Sequence, residues 1–191
     1  HGDNVTITNN RMYSTNIEST FASITSGNDT PDSYSIRVLN NSVYYGGATN
    51  YFGFANSSNI IATTWNIVVA NNAFSAPQTS NISTYGLSIS SQSAKVYSNY
   101  NLWHIPNVAK PFASGGTLTP AEWRALGHDS LTTSVWQSPQ FVNPASGDLR
   151  LNSSSPAKDK GTSEFLAWNR IDADGKYRTD GKPDIGALES P

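Results

Sequence analysis

The pattern of apolar and polar positions repeats along the first half of the chain. Each copy is a short run with apolar side chains at alternate positions, a corner that contains Asn, and a second short alternating run. Alternation at every second position is typical of β-strands, and Asn tolerates the left-handed backbone of a sharp corner. The four copies are Val5–Tyr13, Ile36–Tyr44, Ile67–Ser75 and Ala94–Trp103.

The spacing of these corners predicts the fold. The first Asn of each pair stands at positions 9, 40 and 71, a constant step of 31 residues, and the fourth copy comes a few residues early. A further strand is expected in each interval, at Ile17–Ile24, Tyr51–Ala55 and Tyr85–Ser90. Three short strands per repeat predict an all-β, right-handed parallel β-helix (solenoid), in which Asn amides bond to the same group in the next coil. The alternative is an antiparallel sandwich, which also has many short strands but gives no reason for a constant step between corners.

The repeat stops near Lys110. We expect a single domain, 1–191, with repeated coils at 1–109 and a terminal coil, a short helix and a cap at 110–191, because an open strand edge needs cover. Thr119–Glu122 has the pattern of a capping box with Pro at the first helical position, and the helix should end at Gly127. Three tryptophans are expected to anchor this cap: Trp123, Trp136 and Trp168.

Composition narrows the classes of function. Charged residues make up 14% of the 191 residues, against about 25% in an average soluble domain, and the net charge is −2. This balance argues against nucleic acid or a membrane surface as a partner, since both require a Lys/Arg surplus. Cysteine is absent, so thiol chemistry is excluded. The start at His1-Gly2 is interpreted as that of a processed product or an excised piece.

The last third of the chain resembles a known family. Its signature matches the C-terminal end of bacterial right-handed parallel β-helix proteins of the pectate-lyase-like superfamily, and it comprises Phe141, Gly147–Leu151, Ser155–Ala157, Asp159, Gly161, Asp172, Asp174-Gly175, Arg178 and Asp184–Glu189. That family includes lyases, hydrolases, epimerases and non-catalytic modules. The chain is similar in size to the β-helical carbohydrate-binding modules attached to xylan-degrading enzymes. The resemblance implies a secreted module that binds a plant cell-wall polysaccharide, with xylan the best guess, beside a catalytic domain in the same parent chain.

Strand alternation supplies candidate binding residues. Met12, Val43, Phe74 and Leu102 should point into the core, which leaves the next residue of each copy outward: Tyr13, Tyr44, Ser75 and, after a one-residue slip, Trp103. Rings on a flat β face can stack on sugar rings. Four further rings would extend the platform, Tyr100 among them, and two cations should share one face because Val38 and Val96 point inward. The predicted carbohydrate-binding residues are therefore Tyr13, Tyr44, Trp103, Tyr51, Trp65, Tyr97, Arg37 and Lys95.

Other chemistries stay open beside this one. A small or truncated uronan lyase would use Arg37 and Lys95 against a substrate carboxylate, and a structural spacer would need no site. A glycoside hydrolase needs two facing carboxylates, and the repeats carry no such pair. We predict no catalytic residue and no cofactor.

Asp172-Ala-Asp174-Gly175 resembles the start of a calcium loop but lacks its twelfth-position Glu. We therefore favour a turn tied to Arg178 or Lys176, with a structural calcium ion as the alternative.

Overall fold

Short strands form most of the regular structure in the computed structural model of the protein. The structure describes residues 2–15, 19–24, 33–47, 51–56, 65–79, 85–89, 95–178 and 182–190. The strands are β1 (Gly2–Thr8), β2 (Arg11–Ser14), β3 (Ser19–Ile24), β4 (Ser33–Leu39), β5 (Ser42–Tyr45), β6 (Tyr51–Asn56), β7 (Trp65–Ala70), β8 (Ala73–Ser75), β9 (Tyr85–Ile89), β10 (Lys95–Asn99), β11 (Leu102–His104), β12 (Phe112–Ser114), β13 (Thr117–Leu118), β14 (Phe141–Asn143) and β15 (Asp148–Leu151). Among the described residues α1 (Pro120–Ala125) is the one α-helix, and the fold is mostly β.

Every third strand joins the same sheet. The first sheet has the order β1-β4-β7-β10, the second β2-β5-β8-β11 and the third β3-β6-β9-β12, each with parallel pairing. The register keeps the sequence step, because Val5 pairs with Ile36 and Ile36 with Ile67. The β13 strand pairs antiparallel at the edge of the third sheet, and β14 and β15 form a separate hairpin.

The corners between the first and second sheets explain the repeated Asn pairs. The first member of each pair has a left-handed backbone, with φ of 57° at Asn9, 52° at Asn40 and 58° at Asn71. Asn adopts this region at lower cost than most residues. The fourth corner is Tyr100, with φ of 58°, so it falls 29 residues after Asn71. No Asn marks that position, which is why the sequence pattern placed the fourth copy imprecisely.

The second member of each pair belongs to a ladder of amides that is buried from Asn41 onward. The side-chain Nδ2 of Asn10 donates to Asn41 Oδ1 at 3.0 Å, Asn41 donates to Asn72 at 2.8 Å, and Asn72 donates to Asn101 at 3.0 Å. Each Oδ1 also accepts the backbone N–H of the Asn in the preceding repeat. The prediction that these amides bond to the same group in the next repeat is confirmed.

The hydrophobic core lies between the three sheets. Each sheet contributes alternate side chains to it, so Ile36 and Ile67 of the first sheet meet Phe74 of the second and Leu87 of the third. Val43 and Phe74 are fully buried, and Met12 packs against the same cluster. The inward direction predicted for these residues is therefore confirmed.

Residues 112–136 close one end of this core. The helix α1 begins at Thr119 with both hydrogen bonds of a capping box, as its sequence predicts. It places Trp123, which is fully buried, in a parallel stack on Phe112 with ring centroids 5.0 Å apart. The buried Asp129 terminates the amide ladder, because its Oδ1 accepts from Asn101 Nδ2 at 3.0 Å and its Oδ2 from the Trp123 indole at 2.9 Å.

Residues 141–178 and 182–190 run back along the outside of the repeats. The Asn71 amide exchanges two hydrogen bonds with the Thr162 backbone, and the Asn9 amide exchanges two with Asn169. The buried Arg178 bonds to the Glu189 carboxylate and to Asn9 Oδ1. The tail that we expected to cap an end thus divides into an end cover, residues 112–136, and a strap along the corners, which comprises residues 141–178 and 182–190.

Candidate functional site

The outer face of the second sheet was the predicted ring platform. The register pairs Tyr13 with Tyr44, Tyr44 with Ser75 and Ser75 with His104, so the two tyrosines are neighbours as expected. The strap covers much of this face, however. Tyr44 packs against a cluster that includes Leu149 and Ile185 of the strap. This leaves Tyr13, at 52% exposure, as the open ring of the pair.

Trp103 points inward, so its predicted position on this platform is wrong. The residue is 3% exposed and stacks on Phe74 with centroids 4.8 Å apart. The register shows the reason: β11 pairs Trp103 directly with Phe74, with no slipped residue. Leu102, predicted inward, instead lies on the outer face of the sheet and is buried beneath the strap.

The outer face of the first sheet presents Arg37 and Lys95 as predicted. Val38 and Val96 both contact the core, so their neighbours in each strand face away from it. Arg37 shares a row with Thr6, Val68 and Tyr97, and Lys95 lies in the next row with Asn66 and Ser35. From strand geometry the Arg37 and Lys95 Cα atoms are roughly 12 Å apart.

An aromatic cluster from the strap borders this face. A 3₁₀ helix at Ser163–Phe165 turns the Phe165 ring onto Leu39, Ala70 and Val68, and its centroid lies 5.6 Å from that of Tyr97. Trp168 follows 6.3 Å from Phe165, and the Arg37 guanidinium carbon lies 4.8 Å from its ring centroid. We call this region the Trp168 surface, formed by Thr6, Arg37, Val68, Tyr97, Phe165 and Trp168.

In the Trp168 surface, the indole of Trp168 is held in place by its neighbours and is also half exposed to solvent. Trp168 is 51% exposed, although the cation and Phe165 contact it. A cation against an indole face is favourable and restricts both side chains. Sequence analysis had assigned Trp168 to anchoring the cap, and no repeat in the tail indicated that its ring would be half open to solvent.

Tyr97 takes part in this surface as a neutral phenol. Burial first, and then the nearby Glu164 carboxylate, raise the pKa of the Tyr97 hydroxyl to about 12, since both disfavour the phenolate. Its hydroxyl lies 3.5 Å from Glu164 Oε2. At neutral pH this group is therefore a hydrogen-bond donor beside the aromatic cluster.

The Asp172 region forms a closed turn. Its Oδ1 accepts the backbone N–H groups of Asp174 and Lys176, each at 2.8 Å, and its Oδ2 accepts that of Glu189 at 2.8 Å. Burial opposes the charged form, but these hydrogen bonds together lower the pKa of Asp172 below its usual value. Asp174 points instead to Arg11, at 3.1 Å. Within the described ranges no group of three or more His, Cys, Asp or Glu side chains could hold a metal ion.

Two predicted site residues are described only as strand positions. The side chains of Tyr51 and Trp65 lie outside the described part of the structure, although their backbones belong to β6 and β7.

In the portion of the chain that is described, no helix is long and apolar enough to cross a membrane. Comparison of the chain with protein-family models, curated proteins and solved structures gives no match.

Proposed function

We propose that the chain folds as a right-handed parallel β-helix and acts as a non-catalytic carbohydrate-binding module. The fold is supported by three parallel sheets, each of which takes every third strand of the chain. The near-constant pairing step and the continuous Asn ladder support it further. A rigid repeat of this kind offers a long preformed face, which lowers the entropic cost of binding an extended polymer.

The Trp168 surface is the observation that carries the binding proposal. Trp168 presents a half-exposed indole held by Arg37, and Tyr97 adds a phenol on the same side. Flat rings bind the C–H faces of sugar rings, and Thr6 and Asn66 supply exposed polar side chains close by. A neutral polysaccharide suits this set, because the Arg37 charge is already directed at an aromatic face.

The polymer proposed from the family resemblance is xylan of plant cell walls. In that role the module would be secreted and would hold a catalytic domain of the same parent chain near its substrate. Modest affinity is sufficient for this purpose, since tethering raises the local concentration of the substrate.

Affinity-gel electrophoresis tests the proposal. The protein is run in native gels that contain xylan, β-glucan, glucomannan, alginate or polygalacturonate, with Trp168→Ala as the variant. We expect retardation by a neutral glycan, xylan first, and its loss in Trp168→Ala. The control is Leu131→Ala, which removes a side chain of 72% exposure that belongs to neither aromatic group.

A third variant separates the two aromatic faces. Tyr13→Ala should leave retardation intact, and loss of retardation there instead would transfer the site to the second sheet. Retardation by alginate or polygalacturonate alone would favour the lyase alternative that uses Arg37 and Lys95. Failure of every polymer to retard the protein would overturn the binding proposal.

A further inference from the structure

A cavity of about 290 Å³ opens between the end of the second sheet and α1. It is bounded by two indoles, an imidazole and apolar side chains, among them Trp103, His104, Val108, Pro111, Pro120 and Trp136. It is separate from the Trp168 surface, which lies on the first sheet. None of the residues that line it carries a charge at neutral pH, so it has no evident affinity for ions.

The cavity is built on rigid parts of the fold. Trp103 stacks on Phe74 and also meets Phe112 edge-on, with centroids 5.2 Å apart. Trp136 lies edge-on to Phe112 at 5.8 Å, and the Arg124 guanidinium covers its ring at 5.0 Å. Its walls are thereby fixed before any ligand arrives, which reduces the cost of binding.

His104 lines the cavity at the edge of the second sheet, and it has the one polar ring of this lining that a hydrogen bond orients. Its Nδ1 lies 3.0 Å from the Oγ of Ser75, which is buried, and this bond fixes the direction of the imidazole. Burial lowers the pKa of His104 below its ordinary value, so the ring is neutral at pH 7. Nδ1 is thus engaged, while Nε2 has no hydrogen-bond partner among the described residues. A neutral imidazole can donate or accept at that nitrogen, according to its tautomer.

The size and chemistry of the cavity limit its occupant. Small-molecule sites span about 300–1,000 Å³ and combine apolar walls with a few oriented polar groups, so this one suits a single ring rather than an oligosaccharide. A charged ligand would find no opposite charge on its walls. A sugar ring offers both apolar C–H groups for the prolines and the indole edges and hydroxyls for the imidazole.

We propose that the cavity beside His104 binds one neutral pyranose ring, by contact with its aromatic and proline walls and a hydrogen bond from a sugar hydroxyl to His104 Nε2. The site is independent of the Trp168 surface. A terminal or branching sugar unit is the part of a glycan that can enter a pocket of this size, whereas the interior of a chain lies on an open face.

Nuclear magnetic resonance of the imidazole rings tests this site directly. The chain has three His residues, so their ring signals resolve in a ¹H–¹³C spectrum. D-xylose, D-glucose and D-galactose are titrated in turn. We expect a saturable shift of the His104 signal with millimolar affinity for at least one of them. His128, which is also partly buried but stacks on Trp123 outside the cavity, is the internal control and should not move.

Two variants distinguish binding in the cavity from binding elsewhere. Ala109→Trp places a large ring at the exposed wall of the cavity without removing any core side chain. The sugar affinity obtained from the His104 titration should fall by about tenfold, or the shift should be abolished. His104→Ala should weaken binding as judged by the Trp136 signal, whereas His128→Ala should not. Retardation by polymer should persist in Ala109→Trp, so failure here and failure at the Trp168 surface are told apart.

Three results would overturn the assignment. The first is a His104 signal that stays fixed with every sugar up to saturating concentrations. The second is a shift that survives Ala109→Trp unchanged. The third is a shift caused by phenol but by none of the sugars, which would mark the cavity as a site for aromatic ligands instead.

Discussion

Asn72→Ala is the sharpest test of what holds the repeats together. The Asn72 side chain is fully buried, and its Oδ1 accepts both the backbone and the side-chain N–H of Asn41, at 3.0 and 2.8 Å. Its Nδ2 donates to Val38 O at 2.8 Å and to Asn101 Oδ1 at 3.0 Å. Alanine would leave the Asn41 backbone N–H buried without that acceptor and remove the other bonds as well.

The magnitude follows from these contacts. An orphaned buried N–H costs about 1–3 kcal/mol, and each further lost hydrogen bond about 1 kcal/mol. Three further bonds are lost, so we expect a loss of about 4–6 kcal/mol, a large part of the roughly 5–15 kcal/mol of an ordinary domain. Urea unfolding followed by tryptophan fluorescence and by circular dichroism measures this loss.

Asn10→Ala is the matched control, because Asn10 begins the same ladder at an exposed position. Its amide donates to Thr8 O and to Asn41 Oδ1, and the latter also accepts the backbone N–H of Asn10, which the substitution keeps. The loss should stay below about 1 kcal/mol. Equal losses in Asn10→Ala and Asn72→Ala would refute the reasoning that the buried ladder, and not Asn at the corner as such, stabilises the fold.

Three other predictions concern titratable and charged groups. Arg178→Met removes the cation that faces the buried Glu189 carboxylate and should cost about 3–5 kcal/mol in urea unfolding, whereas Arg150→Met, at an exposed pair, should leave the midpoint unchanged; equal effects would contradict this. Burial lowers the pKa of His104 and His128 from the ordinary 6.5, so the unfolded state binds more protons; stability should fall as the pH drops below 6.5, and replacing both by Phe should flatten that slope. In an ultraviolet titration the Tyr97 phenol, with its pKa of about 12, should stay protonated at about pH 11, where an exposed tyrosine has ionised; complete ionisation by then would contradict the burial argument.

The repeat region could be predicted because its sequence carries the structure locally. Alternation, left-handed Asn corners and a fixed step each depend on residues close in the chain, and the step of 31 residues is also the pairing step between strands. The same local logic gave the capping box of α1. The error at Trp103 arose where the fourth corner uses Tyr100, which lacks the Asn signal.

The position of the strap determines which outward-facing rings are open to solvent, and the sequence did not indicate that position. A β face that alternation marks as outward is open only if nothing packs on it, and here the strap covers Tyr44 and Leu102 while it brings Trp168 to Arg37. The contact between Arg37 and Trp168 joins residues more than a hundred positions apart, with no repeat to align them. The rings available to a ligand are thus selected by where the strap lies. Arg178→Met removes a contact between the strap and Asn9 of the first corner. It should therefore weaken glycan binding at the Trp168 surface in the same affinity gels, even though Arg178 lies outside that surface.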